Sequence, residues 1–349
     1  MKKVGVLLLA LMLSMTMIVG CGSSGDSGNS GDTGNTGESG NTGDTGDAAD
    51  AGNTGESEVY RVAYIARAQA DSFAAMLANA IVAEAEKYPH IRVFVMDGEA
   101  SDEKVNSLIE NSITEGYDLI IVQPNNGESQ RPFVEQIVDA GIFAITTNAR
   151  IAGIEGASSV DADPYSQAKV NADAAVTQVP ENASVVVLNG PPGNFHADER
   201  RLSWQVEFFD KRPDVTIVGE QIANWNKDEG MLYMEDWIQS NSNIDAVISM
   251  NDTMAAGALE AVKDNPQFED MLVYGVDGQP EAMLLIKEGK LTATSMQSYL
   301  DLSELLLDTA DKLLTGKETV IDVDIPNPLI TIDNVDEYIE MYENANAYN

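Results

Sequence analysis

The stretch Ile244-Asp245-Ala246-Val247-Ile248-Ser249-Met250-Asn251-Asp252-Thr253-Met254-Ala255-Ala256-Gly257-Ala258-Leu259 changes its pattern in the middle. Residues 246–250 form a short apolar run, too brief for a helix and without the alternation of a half-exposed strand. From Asp252 onward small and apolar residues recur at helical spacing, and Asn251-Asp252 between them supplies side chains that cap helix N-termini. A strand that is apolar at successive positions is one covered on both faces, as in a parallel sheet with helices on each side.

Working outward, the same junction recurs. Strands are expected over 62–66, 91–96, 119–123 and 143–147, with amphipathic helices over 72–88, 102–115 and 130–140. Asp102, with Leu108 and Ile109 behind it, reads as a capped helix start. A second set follows: strands over 184–189, 216–222, 246–250 and 272–276, and helices over 197–211, 228–240, 252–263 and 280–288. Two sets of similar size predict two doubly wound α/β lobes rather than one oversized core. Open α/β sheets bind ligands at the carboxyl ends of their strands, so two facing lobes make a cleft. The residues after each strand are rich in amides, carboxylates, arginine and aromatic rings, and each asparagine or aspartate there reads equally as a cap or turn former.

Between Gly22 and Glu58 nothing can fill a core. Met1-Lys2-Lys3 and an apolar run end at Ile18-Val19-Gly20-Cys21, the pattern of a signal peptide over 1–20. Cys21 is the only cysteine, so no disulfide forms within one chain; its place after a small residue points to lipid attachment. Gly, Ser, Thr, Asn and acidic residues up to Glu58 make a flexible tether. The expected location is the outer face of the cell membrane. The formal net charge is −37, which repels phosphate backbones and argues against nucleic-acid binding.

The phrases Asn224-Trp225-Asn226, the stretch quoted above, Gly275-Val276-Asp277-Gly278-Gln279-Pro280-Glu281-Ala282 and Ile286-Lys287-Glu288-Gly289-Lys290-Leu291-Thr292-Ala293-Thr294 stand in an order and spacing that is specific. In them the chain resembles the type I periplasmic sugar-binding proteins, the glucose/galactose-binding and ribose-binding proteins among them, over about 59–349. The resemblance implies two lobes joined by a three-crossing hinge near 161–164, 297–299 and 324–327. That places 59–162 with 298–325 in one lobe and 163–297 with 326–349 in the other. It also implies a role as the capture component of an ABC importer, with permease subunits as partners, working as a monomer.

By resemblance, Asn251 and Asp277 contact sugar hydroxyls, Arg200 is the family arginine after the Gly190-Pro191-Pro192-Gly193 turn, Trp225 is the cleft aromatic and Gln297 the lobe-crossing amide. In the first lobe, Asp71-Ser72-Phe73 looks like the Asp-x-Phe of the glucose/galactose-binding proteins, and Asn148 like their strand-end asparagine. The chain departs from them at Asn194 and His196, where they carry a His-x-Asp pair, and at Asn148-Ala149-Arg150, where ribose-binding proteins have Asp-Arg.

The residue chemistry supports the same ligand class. Carboxylates, amides and guanidinium groups together satisfy hydroxyls that both donate and accept, and Phe73 and Trp225 offer apolar contact to a ring. A hexose such as galactose or glucose is the expected ligand; a pentose, inositol, signalling furanose or nucleoside is the alternative, as is a sensor-only role toward a membrane receptor. No enzyme is expected: His90 and His196 make no metal motif, and Asp71 with Asp277 reads as a pair of hydrogen-bond acceptors rather than a glycosidase pair. The effector domain of a LacI-type repressor shares the fold but needs a helix-turn-helix headpiece, which the signal peptide and tether exclude. No cofactor or metal is expected, there being no calcium loop of the Asp-x-Asn-x-Asp type.

Overall fold

A computed structural model describes residues 59–347. The expected signal peptide, Cys21 and the tether to Glu58 lie outside the described residues. Residues Gly55–Asn349 form a compact unit of their own.

The first half alternates strand and helix: β1 (Tyr60–Ala66), α1 (Ser72–Ala85), β2 (Ile91–Asp97), α2 (Asp102–Thr114), β3 (Leu119–Val122), α3 (Gly127–Asp139), β4 (Phe143–Thr147) and β5 (Ala157–Ala162). After α4 (Pro164–Gln178) come β6 (Ser184–Asn189), α5 (Phe195–Trp204), β7 (Thr216–Ile222), α6 (Lys227–Ser240), β8 (Ala246–Ser249), α7 (Asp252–Val262), β9 (Leu272–Asp277), α8 (Pro280–Lys287) and β10 (Ala293–Met296). The chain ends with α9 (Tyr299–Leu314), β11 (Asp322–Ile325), β12 (Leu329–Ile330) and α10 (Val335–Asn344).

Two six-stranded sheets result, ordered β11-β5-β4-β3-β1-β2 and β12-β10-β9-β8-β6-β7. Pairing is parallel throughout except between β10 and β12. The molecule therefore has two α/β lobes, as the strand–helix alternation predicts. The chain passes between the sheets after β5, at Gln297 and Ser298 between β10 and α9, and across 326–328 between β11 and β12.

Burial explains the apolar runs. In β1, Val62, Tyr64 and Ala66 enter one core cluster while Ala63 and Ile65 enter another on the opposite face of the sheet. With both faces covered, alternation disappears and the strand reads as continuous. Two differences from the sequence reading are local. The α2 cap is Ser101, whose Oγ accepts from Lys104 N, so Asp102 is the first helical residue. The helix expected over 197–211 begins at Phe195 and passes after Trp204 into a π-helical turn, Gln205–Phe209.

Candidate ligand-binding site

Three helix starts at the cleft are capped by a residue of the loop that follows the preceding strand. Asp71 Oδ1 accepts from Ala74 N at 3.1 Å and caps α1. Asn194 Oδ1 accepts from Ala197 N at 3.2 Å and caps α5. Asn251 Oδ1 accepts from Met254 N at 2.9 Å and caps α7. Cap and site are thus one device: each of these residues holds a helix start and also lines the cavity.

All ten residues singled out in the sequence, Asp71, Phe73, Asn148, Asn194, His196, Arg200, Trp225, Asn251, Asp277 and Gln297, line a single small cavity between the lobes. An eleventh, Arg67, joins them. Arg67 directly follows β1, and its guanidinium is hydrogen-bonded to Asp71 in a buried ion pair. Its position just after the predicted strand was the signal available in the sequence.

In the second lobe the arrangement centres on Arg200, which is 2 % exposed. Its Nη1 donates to Met250 O at 2.7 Å and its Nε to Gln167 Oε1 at 2.9 Å. Nη2 donates to Asp277 Oδ1 and Gln297 Oε1, each at 3.0 Å. The guanidinium carbon also sits 5.7 Å from the Trp225 ring centre, within cation–π range. Gln297 accepts a second bond from Gln167 Nε2 at 2.6 Å, while its own Nε2 is buried with no hydrogen-bond partner among the described residues, and the residue lines the cavity. A buried amide donor of that kind is a hydrogen bond waiting for a ligand oxygen.

Backbone strain gathers at the same place. Asn148 (φ 50°), Asn224 (φ 48°), Trp225 (φ 61°) and Asp277 (φ 113°) all have positive φ. For side chains other than glycine this is uncommon and costs about 1 to 3 kcal/mol each, and such residues cluster where geometry is set by function. Gly190 makes room for Trp225: a Cβ there would lie 2.2 Å from the ring's Cζ2. In the first lobe, Gln123 Nε2 donates to Asn148 Oδ1 at 2.6 Å, so a residue behind the site aims one in it.

The lobes also touch directly. Ser72 Oγ lies 3.0 Å from Thr253 Oγ1 and donates to Gln279 Oε1 at 2.9 Å. Gln279 Nε2 donates in turn to Asp277 Oδ2 at 3.3 Å, so the first lobe is linked through Gln279 to the ligand-facing carboxylate.

Two carboxyl groups are pushed up by burial. Asp277 rises above the usual carboxylate range against the pull of Arg200. Asp252 rises well above it, from burial first and from the charge of Asp277 beside it. Asp252 Oδ1 accepts from Thr294 Oγ1 at 2.7 Å and Oδ2 from Gln279 N at 2.9 Å. Because the folded-state pKa is raised, the native chain holds protons that the unfolded chain releases near pH 4. Stability contributed by Asp252 is therefore lost as pH rises from that value through the raised one, by at most about 1.4 kcal/mol per pH unit. In Asp252→Asn the amide nitrogen can donate to Thr294 Oγ1 and the loss should vanish. Thermal unfolding of both chains between pH 4 and 8 is expected to show Asp252→Asn gaining on the unsubstituted chain as pH rises; parallel curves would contradict this.

Comparison with known proteins places the geometry. A family model described as "Periplasmic binding protein domain" matches residues 62–318. The xylitol-binding protein of Mycolicibacterium smegmatis is 30 % identical over 235 residues, covering 67 % of each chain. The ribose import binding protein of Bacillus subtilis is 29 % identical, covering 74 % of this chain and 83 % of its own. Among solved structures, an ABC transporter solute binding protein from Bacillus halodurans C-125 with bound myo-inositol superposes with a TM-score of 0.77 at 28 % identity, over 83 % of this chain and all of that one. With two α/β lobes around one cavity and a family match over most of its length, the chain belongs to the periplasmic binding protein domain family.

Proposed function

We propose that this protein captures a neutral monosaccharide or cyclic polyol between its lobes and delivers it to an ABC permease outside the cytoplasm, as a binding protein and not an enzyme. The observation that carries the proposal is the symmetry of the site. Each lobe contributes one arginine–aspartate pair and one aromatic ring to the same cavity, Arg67–Asp71 with Phe73 and Arg200–Asp277 with Trp225. Each guanidinium has its own carboxylate, so the site is balanced in charge and has no spare cation for an anionic ligand. The paired groups still offer further donors and acceptors, which is what hydroxyls require.

The relatives named above for xylitol, ribose and myo-inositol support a sugar or polyol as the ligand class and import as the process. Within that class a six-membered ring, a hexose such as galactose or glucose or a cyclic polyol such as myo-inositol, is the finer reading. Two aromatic rings from opposite lobes give it apolar contact on its C–H faces. Anchoring through Cys21 and action as a monomer are part of the same proposal. Ligand bridging the lobes favours the closed form only through its greater affinity for it.

Thermal unfolding of the unit Gly55–Asn349 against monosaccharides, cyclic polyols, nucleosides and amino acids tests the reading, since a ligand specific to the native state raises the melting temperature by mass action. A shift from a hexose or inositol larger than from any nucleoside or amino acid is expected. Shifts confined to nucleosides or amino acids would reject the sugar reading.

A further inference from the structure

His196 lines the cavity, yet both of its ring nitrogens are already engaged by protein. Nδ1 lies 3.3 Å from Arg200 Nη2, and a guanidinium only donates, so Nδ1 is the acceptor. The ring proton therefore sits on Nε2 and is donated to Asp161 Oδ1 at 3.0 Å. Asp161 is fully buried and His196 is 3 % exposed. The two stand on opposite lobes: Asp161 in β5, the last strand before the chain first crosses between the sheets, and His196 on α5. Asp161 does not border the cavity. Its other contacts are backbone: Oδ2 accepts from Arg150 N at 3.0 Å and Oδ1 from Ala162 N at 2.8 Å, so its carboxylate is fixed to the first lobe's own backbone.

A chain of bonds follows from the fixed carboxylate, through the imidazole, to Arg200 and on to Asp277. We infer that Asp161 is a positioning residue for ligand capture, acting through His196 as a buried latch between the lobes that holds Arg200 in its ligand-facing orientation only when the lobes are closed. The bond crosses the cleft beside the hinge, so opening the lobes breaks it and leaves a carboxylate short of one donor. The ligand then meets an arginine whose fork is already aimed, and part of the cost of ordering the closed site is met within the protein. His196 consequently shapes specificity by orienting the arginine, and it has no free nitrogen with which to hydrogen-bond a ligand.

The latch operates without ligand, so it is tested separately from the sugar proposal. Spin labels on Val82→Cys in α1 and Leu232→Cys in α6, both about half exposed and one on each lobe, report the interlobe distance in Gly55–Asn349, which contains no other thiol. The ligand-free chain is expected to populate a short distance. Asp161→Ala and His196→Ala should lower the closed-to-open ratio equally, by about tenfold, the worth of a hydrogen bond to a charged group. The double variant should be no worse than either single one, because the two residues act as one unit. His196→Gln, whose amide nitrogen takes the place of Nε2, should recover most of the short-distance population. A ligand-free closed population unchanged in both alanine variants, or absent from the unsubstituted chain, overturns the inference. So does an effect of His196→Ala that Asp161→Ala does not share, which would mean that His196 acts on closure without Asp161.

Discussion

Arg200→Ala is expected to abolish ligand capture and to lower stability in the same step. The side chain donates five hydrogen bonds while buried, to Gln167, Met250, Asp277, Gln297 and His196. Alanine leaves Asp277 without its cationic partner inside the protein, and breaking a buried ion pair from one side costs about 3 to 5 kcal/mol. Gln297 loses one of its two donors and Trp225 loses the cation beside its ring. Arg200→Lys keeps the charge but not the planar fork that reaches all of these acceptors at once. It should recover part of the stability and little of the affinity. Calorimetric titration and thermal unfolding of the two variants check this; an Arg200→Ala chain that binds within threefold of the unsubstituted one would mean that Arg200 is scaffold.

Trp225→Ala should rank next, and its stability cost should be separable from its binding cost. The indole is buried and packs with the second lobe's core while one side borders the cavity. Truncating it removes core packing worth about 3 to 5 kcal/mol together with the apolar wall of the site. The residue is also held at φ 61°, which glycine adopts without penalty. Trp225→Gly is therefore expected to be no less stable than Trp225→Ala, reversing the usual order, while both lose ligand by about 100-fold, as loss of a buried aromatic hot spot does. Gly190→Ala offers a control that leaves the indole in the chain, since its methyl would occupy the space of the ring edge and push it toward the cavity. Affinity retained in Gly190→Ala and Trp225→Ala alike would show that the ring belongs to the core alone.

The strand-to-helix junctions were legible because two independent signals coincide in each: an apolar run without alternation, and then an asparagine or aspartate. What the residue type left open, cap or cavity residue, turns out to be no alternative at Asp71, Asn194 and Asn251, each of which caps a helix and also lines the cavity. The strand β5, Ala157-Ser158-Ser159-Val160-Asp161-Ala162, was not legible. It is buried throughout yet half polar, and its serines are satisfied by protein partners: Ser159 Oγ accepts from Arg150 Nε, and Ser158 Oγ from Ile321 N. Hydropathy cannot register a strand stabilised in that way. Arg67, directly after the first strand, reads in sequence like any surface charge; only the fold buries it against Asp71. The bond between Asp161 and His196 joins residues 35 positions apart on different lobes, and no periodicity within either segment signals it.

The charge balance of the cavity yields the most direct test of the whole reading. Calorimetric titration of Gly55–Asn349 at pH 7 should compare the neutral hexose or inositol giving the largest thermal shift with the uronic acid of matching stereochemistry. Two arginines already paired with Asp71 and Asp277 leave a carboxylate ligand facing acceptors, so the neutral compound is expected to bind at least about 100-fold more tightly, as when a buried charge goes unpaired. Tighter binding of the uronate would show that the arginines serve an anionic ligand, and would contradict capture of a neutral sugar or polyol.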